Sequence, residues 1–277
     1  IQVLHVHEDG ERVLHRMEKP LSVGAQVAGV IDYDHRFDLM QQHTGEHIVS
    51  GIIHALYGYH NVGFHMGAEV VTIDFDGPIA PEALQDIEDR ANAAVWQNLP
   101  VRCYYPSAEE LPGIPYRRKR DLPWPVRLVE IPGIDLCACC GTHLPYTGGV
   151  GLVKLFSCVK FHQGVRIEMA CGGKALNMLS RVYEQNKLVS QAFSAKILET
   201  GAAAQRMNEA LSAEKFRSAS LEKRIFDAIA QSYRDTGDVV HFEEDLSPAG
   251  VRELAEAIAD ICGGVAAVFS GSDEAGY

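Results

Sequence analysis

The chain has 277 residues, 47% of them hydrophobic and 22% charged, with a formal net charge of −12. That is the balance of an ordinary globular protein with room for two or three domains. The acidic excess argues against a nonspecific nucleic-acid binder, which needs Lys and Arg to neutralise phosphates.

No run of about 18 uncharged apolar residues is present, so neither a membrane-spanning helix nor a membrane partner is expected. No secretory leader is visible. Seven cysteines, three of them crowded into CACC as Cys137, Cys139 and Cys140, favour thiols and metal over a disulfide framework. The expected compartment is the cytosol. The chain opens on Ile1 and stops at SGSDEAGY, and is expected to be a piece of a longer protein.

Residues 1–33 alternate apolar and polar positions around turn signals, so IQVLHV, RVLHRM and AQVAGVID are expected as short strands. HRFDLMQQHTGEHIVSGIIHALYG reads as one long helix. Its Phe37, Met40, Ile48, Ile52 and Leu56 recur near helical spacing, and Gly58 supplies a stop. EVVTIDFDG is a strand, and Pro81 then opens an amphipathic helix to about Leu99. VRCYYP and VRLVEI are further strands, and GLVKLFSCVKFHQGVRIEMACG a hairpin. The expected fold class is α+β, with a mixed sheet-and-helix domain followed by a long helical pair and a shortened α/β unit.

Residues 174–235 hold no Pro and a single glycine, Gly201. Leu176, Leu179, Val182, Val189, Phe193 and Ile197 form one apolar stripe, and Leu211, Leu221, Ile225 and Ile229 a second. Two long helices turning at Gly201 are expected, each roughly 40–45 Å at about 1.5 Å per residue. Such stripes are too long for one small domain to cover and suit self-association or nucleic-acid contact rather than chemistry. From Thr236 the pattern is strand, helix, strand, with Ser247 capping the helix and Pro248 at its first position.

The chemistry concentrates in two motifs. Helical residues four apart share a face, so His43 and His47 of QQHTGEHIVSG can hold one ion. The spelling H-x-x-E-H is also used by a class of zinc peptidases, in which Glu46 would be the general base. A histidine pair alone is a weak signal among twelve histidines. CACCGTHLPYTGGVG strengthens it by placing Cys139 and His143 in a glycine-rich turn, and thiolate and imidazole are the usual zinc ligands. Together they make a four-ligand set for one Zn2+ per chain, with Cys137 and Cys140 as rival sulfur ligands.

HTGEH, followed about ninety residues later by CCGTHLPYTGGVGLVKL and then GVRIEMACG, resembles the editing domain of alanyl-tRNA synthetase. It is similar still more closely to the free-standing AlaX-type editing proteins. The family pattern, H-x-x-x-H with C-x-x-x-H, maps onto His43, His47, Cys139 and His143, and the likeness extends to Thr142, Gly148 and Arg166. The resemblance implies an ending β-barrel-like domain over 1–33, a zinc-binding editing domain over 34–173, a helical pair over 174–235 and the start of a DHH-associated-like domain over 236–277. The glycine-rich motif of the family's barrel domain is not in this chain.

The resemblance also implies a reaction, hydrolysis of the ester joining serine, or in some members glycine, to tRNA for alanine. A synthetase pocket rejects an isostere carrying an added hydroxyl only weakly, so a second hydrolytic site is needed. The family leaves the residues between its histidines free. Glu46 is therefore expected as a solvated helix residue or a partner to an imidazole N–H, and stays a catalytic candidate. His65, in an expected loop VGFHMG, is the candidate reader of the serine hydroxyl. Thr142 and Arg166 are candidate substrate or tRNA contacts, with Arg166 and Glu168 alternatively a structural pair. Asp74 is expected at a strand-end turn, with an acid backing a site residue as the alternative. Arg117, Arg118, Lys119 and Arg120, in a proline-flanked loop, are expected to meet tRNA phosphates. A homodimer through the helical pair or the C-terminal unit is expected. The competing readings are a tRNA-binding module with a structural zinc, because four protein ligands close a site, and a zinc peptidase.

Overall fold

The computed structural model describes residues 1–10, 12–118, 124–272 and 276. The chain divides into two units, Ile1–Arg181 and Val182–Tyr277.

The first unit opens with a hairpin, β1 (Val3–Asp9) paired antiparallel with β2 (Arg12–Met17). Both faces of this hairpin are exposed. AQVAGVID does not become the expected third strand: among the described residues no strand pairs with it, and Val27, Val30 and Ile31 stand in solvent.

α1 (Tyr33–Tyr57) follows. Asp32 caps it by accepting from the His35 amide at 3.1 Å, and Gly58 ends it in the left-handed conformation at φ 73°, where a glycine carries no Cβ penalty. The expected apolar stripe is only part of its buried surface. From Met40 to Ile53 every residue except His43 is buried, because α1 touches both sheets of the unit as well as α2 (Leu84–Trp96). Gly45 permits this packing, since a Cβ there would run into the Cys171 sulfur.

One sheet has the order β3 (Asn61–Met66), β4 (Val71–Phe75), β9 (Gly164–Cys171), β8 (Val153–Phe161), all antiparallel. The other is β5 (Arg102–Tyr104), β6 (Leu128–Ile131), β7 (Asp135–Ala138), also antiparallel. Their shared core includes Ile48, Ile53, Ile73, Phe75, Ile87, Ile131, Ile167 and Met169. On α2, Asn92 acts as a substitute strand neighbour for β8. Its Nδ2 donates to the Val153 carbonyl at 2.8 Å and its Oδ1 accepts from the Val153 amide at 2.9 Å.

α3 (Gly172–Ala192) and α4 (Thr200–Ser232) are the two long helices. The break between them falls at 193–199 rather than at Gly201, which lies in the first turn of α4. Side chains of the flanking helices stabilise this earlier break. Ser194 takes φ 48°, Asn186 Nδ2 donates to the Ile197 carbonyl, and Thr200 donates to Asn186. Leu176, Val182, Leu211 and Leu221 on the two stripes are exposed.

The second unit continues with β10 (Gly237–Glu243), α5 (Pro248–Cys262) and β11 (Gly263–Ser270), and the two strands pair in parallel. Ser247 Oγ accepts from the Gly250 amide at 3.1 Å, the expected cap. Phe226 and Ala230 near the end of α4 share a core with Leu254, Ile258 and Cys262 of α5. Among the described residues no helix is long and apolar enough to cross a membrane.

Candidate metal centre

α1 delivers His43 and His47 from one face, and the turn after β7 delivers Cys139 and His143. One donor atom from each of the four lies within 4.8 Å of the others. Cys139 Sγ is 3.4 Å from His43 Nε2. The His143 ring centroid is 4.1 Å from that of His43 and 4.6 Å from that of His47.

Each imidazole uses the same nitrogen to brace itself. His43 Nδ1 donates to the Thr142 carbonyl at 3.1 Å, His47 Nδ1 meets Asp135 Oδ2 at 2.9 Å, and His143 Nδ1 meets Thr44 Oγ1 at 3.3 Å. Three Nε2 atoms are thereby left for the cluster, and that of His143 is buried with no hydrogen bond. Bracing of the second ring nitrogen by a carbonyl, carboxylate or hydroxyl is the usual arrangement of a metal-binding histidine.

The turn carrying Cys139 is pinned from behind. Arg127 Nη1 donates to the carbonyls of Cys139 and Gly141 at 2.8 and 2.9 Å, and the Thr44 hydroxyl accepts from the Leu144 amide at 3.1 Å. Gly141 is required by space, since a Cβ there would enter the His43 imidazole. Gly51, one turn beyond His47, lets β7 approach α1, and its Cβ would stand 2.7 Å from Asp135 Cβ.

Electrostatics separates the three clustered cysteines. Burial alone would raise the Cys139 thiol, but His143, His43 and His47 outweigh it and hold the group down at about 3. Cys139 is therefore a thiolate. Burial pushes Cys137 up to about 12, and Cys140 is exposed. Burial would also lower His47, but hydrogen bonds to Asp135 and Cys139 overcome that and raise it to about 9. Burial lowers His143 to about 4. Asp135, despite burial, is held below the ordinary carboxylate range by His47 and Arg117. A preformed thiolate, three braced imidazoles, an orphaned buried Nε2 and a glycine cradle fit a zinc ion.

The other expected residues are placed as follows. Glu46 is not solvated. It is 1% exposed, its Oε1 accepts from Ser50 Oγ at 2.7 Å and from Asn61 Nδ2, and its Oε2 lies 3.9 Å from His47 Nε2. His65 lies on strand β3 rather than a loop, and is exposed. Its neighbour Phe64 stacks on His43 at 5.7 Å, so strand alternation turns His65 to the opposite face. Thr142 contributes its backbone carbonyl to His43. Arg166 pairs with Asp74 in a two-pronged contact at 2.7 and 2.8 Å and lies 3.8 Å over the Phe161 ring. Its expected partner Glu168 accepts from Ser157 instead. Asp74 is within β4, not at a turn.

The basic run divides. Arg117 is turned inward with an 8% exposed side chain bound to Asp135, and so is not available to phosphates, while Arg118 is exposed. Lys119 and Arg120 lie outside the described residues. Sequence reasoning missed Asp135, Thr44 and the clamp by Arg127. The one visible signal was an acid inside the otherwise apolar run GIDLC.

A family described as the threonyl and alanyl tRNA synthetase second additional domain matches residues 126–183, which include Cys139 and His143. The chain is 27% identical over 269 residues to the alanyl-tRNA editing protein Aarsd1-A of Xenopus laevis, covering 95% of this chain and 65% of that protein. Against the mouse alanyl-tRNA editing protein Aarsd1 the identity is 30% over 196 residues, 69% of this chain and 47% of the relative. An alanine–tRNA ligase from Thermofilum pendens is 32% identical over 234 residues, 81% of this chain and 25% of the ligase. The chain thus spans less than two thirds of the length of these relatives.

Proposed function

We propose that this chain is an AlaX-type alanyl-tRNA editing protein, in line with the relatives it resembles, and a zinc-dependent hydrolase of mischarged tRNA for alanine, acting on the seryl or the glycyl ester. The observation that carries the proposal is the convergence of three Nδ1-braced imidazoles with the Cys139 thiolate. In this reading His43, His47, Cys139 and His143 hold one zinc. When bound, zinc supplies a Lewis acid that can activate water near neutral pH or polarise and hold the ester. Glu46 is the carboxylate placed beside His47 Nε2 to take up a proton, and Ser50 and Asn61 fix its orientation. Arg118, Lys119 and Arg120 supply phosphate contacts, the exposed stripes of α3 and α4 offer the surface for a homodimer, and the site of action is the cytosol.

The test is zinc content of the purified protein together with hydrolysis of Ser-, Gly- and Ala-tRNA(Ala), run beside a full-length relative. Stoichiometric zinc, loss of serine and sparing of alanine are expected. Full zinc without any hydrolysis would favour the second reading, a tRNA-binding module with a structural metal, which the four protein donors support. The peptidase reading is disfavoured because the donors joining the histidine pair are Cys139 and His143 rather than a carboxylate. Cleavage in a peptide screen would revive it.

A further inference from the structure

We propose that Arg117 and Asp135 form a positioning pair for His47, setting its ring plane and the nitrogen it turns toward the metal. The first arginine of the basic run thereby serves the metal centre rather than nucleic acid. This inference rests on the zinc reading above and concerns residues that touch neither metal nor substrate.

Asp135 is bound from two sides. Arg117 Nε donates to Oδ1 at 2.7 Å and Nη2 to Oδ2 at 2.9 Å, while Oδ2 also meets His47 Nδ1 at 2.9 Å. The chain is buried along its length, with Arg117, Asp135 and His47 side chains 8%, 1% and 3% exposed. A buried carboxylate needs both its charge and its lone pairs answered, and here one guanidinium and one imidazole do so.

The backbone fixes the donor. The Arg117 amide donates to the Leu136 carbonyl at 2.8 Å and the Ala138 amide to the Arg117 carbonyl at 2.9 Å, a parallel bridge onto β7. Successive residues of extended chain face opposite ways, so Arg117 reaches Asp135 while Arg118 remains exposed. Gly51 removes the side chain that would hold β7 off α1.

The pair also sets His47 apart. His43 is braced by a carbonyl and His143 by a hydroxyl, whereas His47 has a carboxylate. A carboxylate on Nδ1–H fixes the tautomer that leaves the Nε2 lone pair for a cation and makes that nitrogen a stronger donor. Arg117 holds the carboxylate by two hydrogen bonds and balances its charge.

The experiment measures zinc affinity by competition with a chromophoric chelator, the visible spectrum of the cobalt(II)-loaded protein, and the stability of the metal-free protein. The variants are Asp135→Ala, Asp135→Asn, Arg117→Met and Arg117→Lys. Asp135→Ala should weaken zinc binding roughly 10- to 100-fold and shift the cobalt d–d bands. Asp135→Asn should retain more affinity, since its amide oxygen can still accept from His47. Arg117→Met should weaken binding, and Arg117→Lys should restore part of it. If Asp135→Ala fails to fold, the Asn and Lys variants carry the comparison. Wild-type affinity and spectrum in all variants would overturn the pairing. So would a loss of affinity explained by lost metal-free stability with the cobalt spectrum unchanged. If the wild type itself takes up neither zinc nor cobalt, the zinc reading fails and this inference with it.

Discussion

Zinc uptake by the metal-free protein should release close to one proton at about pH 8, and progressively less above about pH 9. The number follows from the cluster. Cys139, held at about 3, is already a thiolate, and His143, at about 4, is already neutral. His47, raised to about 9, still carries the extra proton that a cation must displace from Nε2. An ordinary thiol, at roughly 8.5, would add most of a second proton. One displaced proton makes the apparent affinity rise about tenfold per pH unit below about pH 9, or about 1.4 kcal/mol per unit. The signs for the metal-free fold run oppositely for the two partners. The raised His47 contributes stability below the ordinary imidazole range and loses it as pH climbs through about 9. The depressed Cys139 contributes above the ordinary thiol range and loses it as pH falls through about 3. The imidazolium–thiolate pair is therefore intact between these limits. Calorimetric titrations with zinc in buffers of differing ionisation heat count the protons directly. Two protons released at about pH 8 would mean that Cys139 is a thiol, and none would mean that His47 is neutral. Either result would refute the electrostatic account.

Replacing Gly141 by Ala puts a methyl into the His43 imidazole. Zinc affinity should fall about tenfold or more with little change in metal-free melting, and unchanged affinity would show that the loop yields at no cost. Asn92→Ala strips the buried Val153 amide and carbonyl of their partners. A loss of about 2–4 kcal/mol is expected in chemical denaturation, and a loss below about 1 kcal/mol would mean that water replaces the amide. Changing Arg118, Lys119 and Arg120 together to Gln should flatten the log–log salt dependence of tRNA binding by about 0.7–0.9 for each phosphate no longer neutralised, leaving zinc content and serine preference intact. An unchanged slope would move the tRNA to another surface. Ser247→Ala should destabilise the second unit by about 1 kcal/mol through loss of the α5 cap, and no shift in its melting would argue against that bond.

Much of the architecture is written in local pattern. Spacing and Gly58 marked α1, the four-residue step put His43 and His47 on one face, and alternation exposed the β8–β9 hairpin. Ser247 and Pro248 announced α5. These features depend on backbone period and on hydrogen bonds between near neighbours, which are present in any short stretch of chain. Other decisions needed distant segments to meet. CACC offered three sulfurs at nearly the same place, and only the direction in which β7 releases the chain made Cys139 the thiolate. Glu46 was open to two readings, a solvated helix residue or a partner to an imidazole, and the arrival of Asn61 enclosed it beside His47. Gly201 looked like the turn between the long helices, yet Asn186 and Thr200 placed the break before it. Arg117 and Arg118 are adjacent and chemically alike in the sequence. One is buried on Asp135 and the other exposed because the bridge to β7 fixes which side of the extended chain each occupies, and that bridge exists only once residues far apart in sequence are folded together.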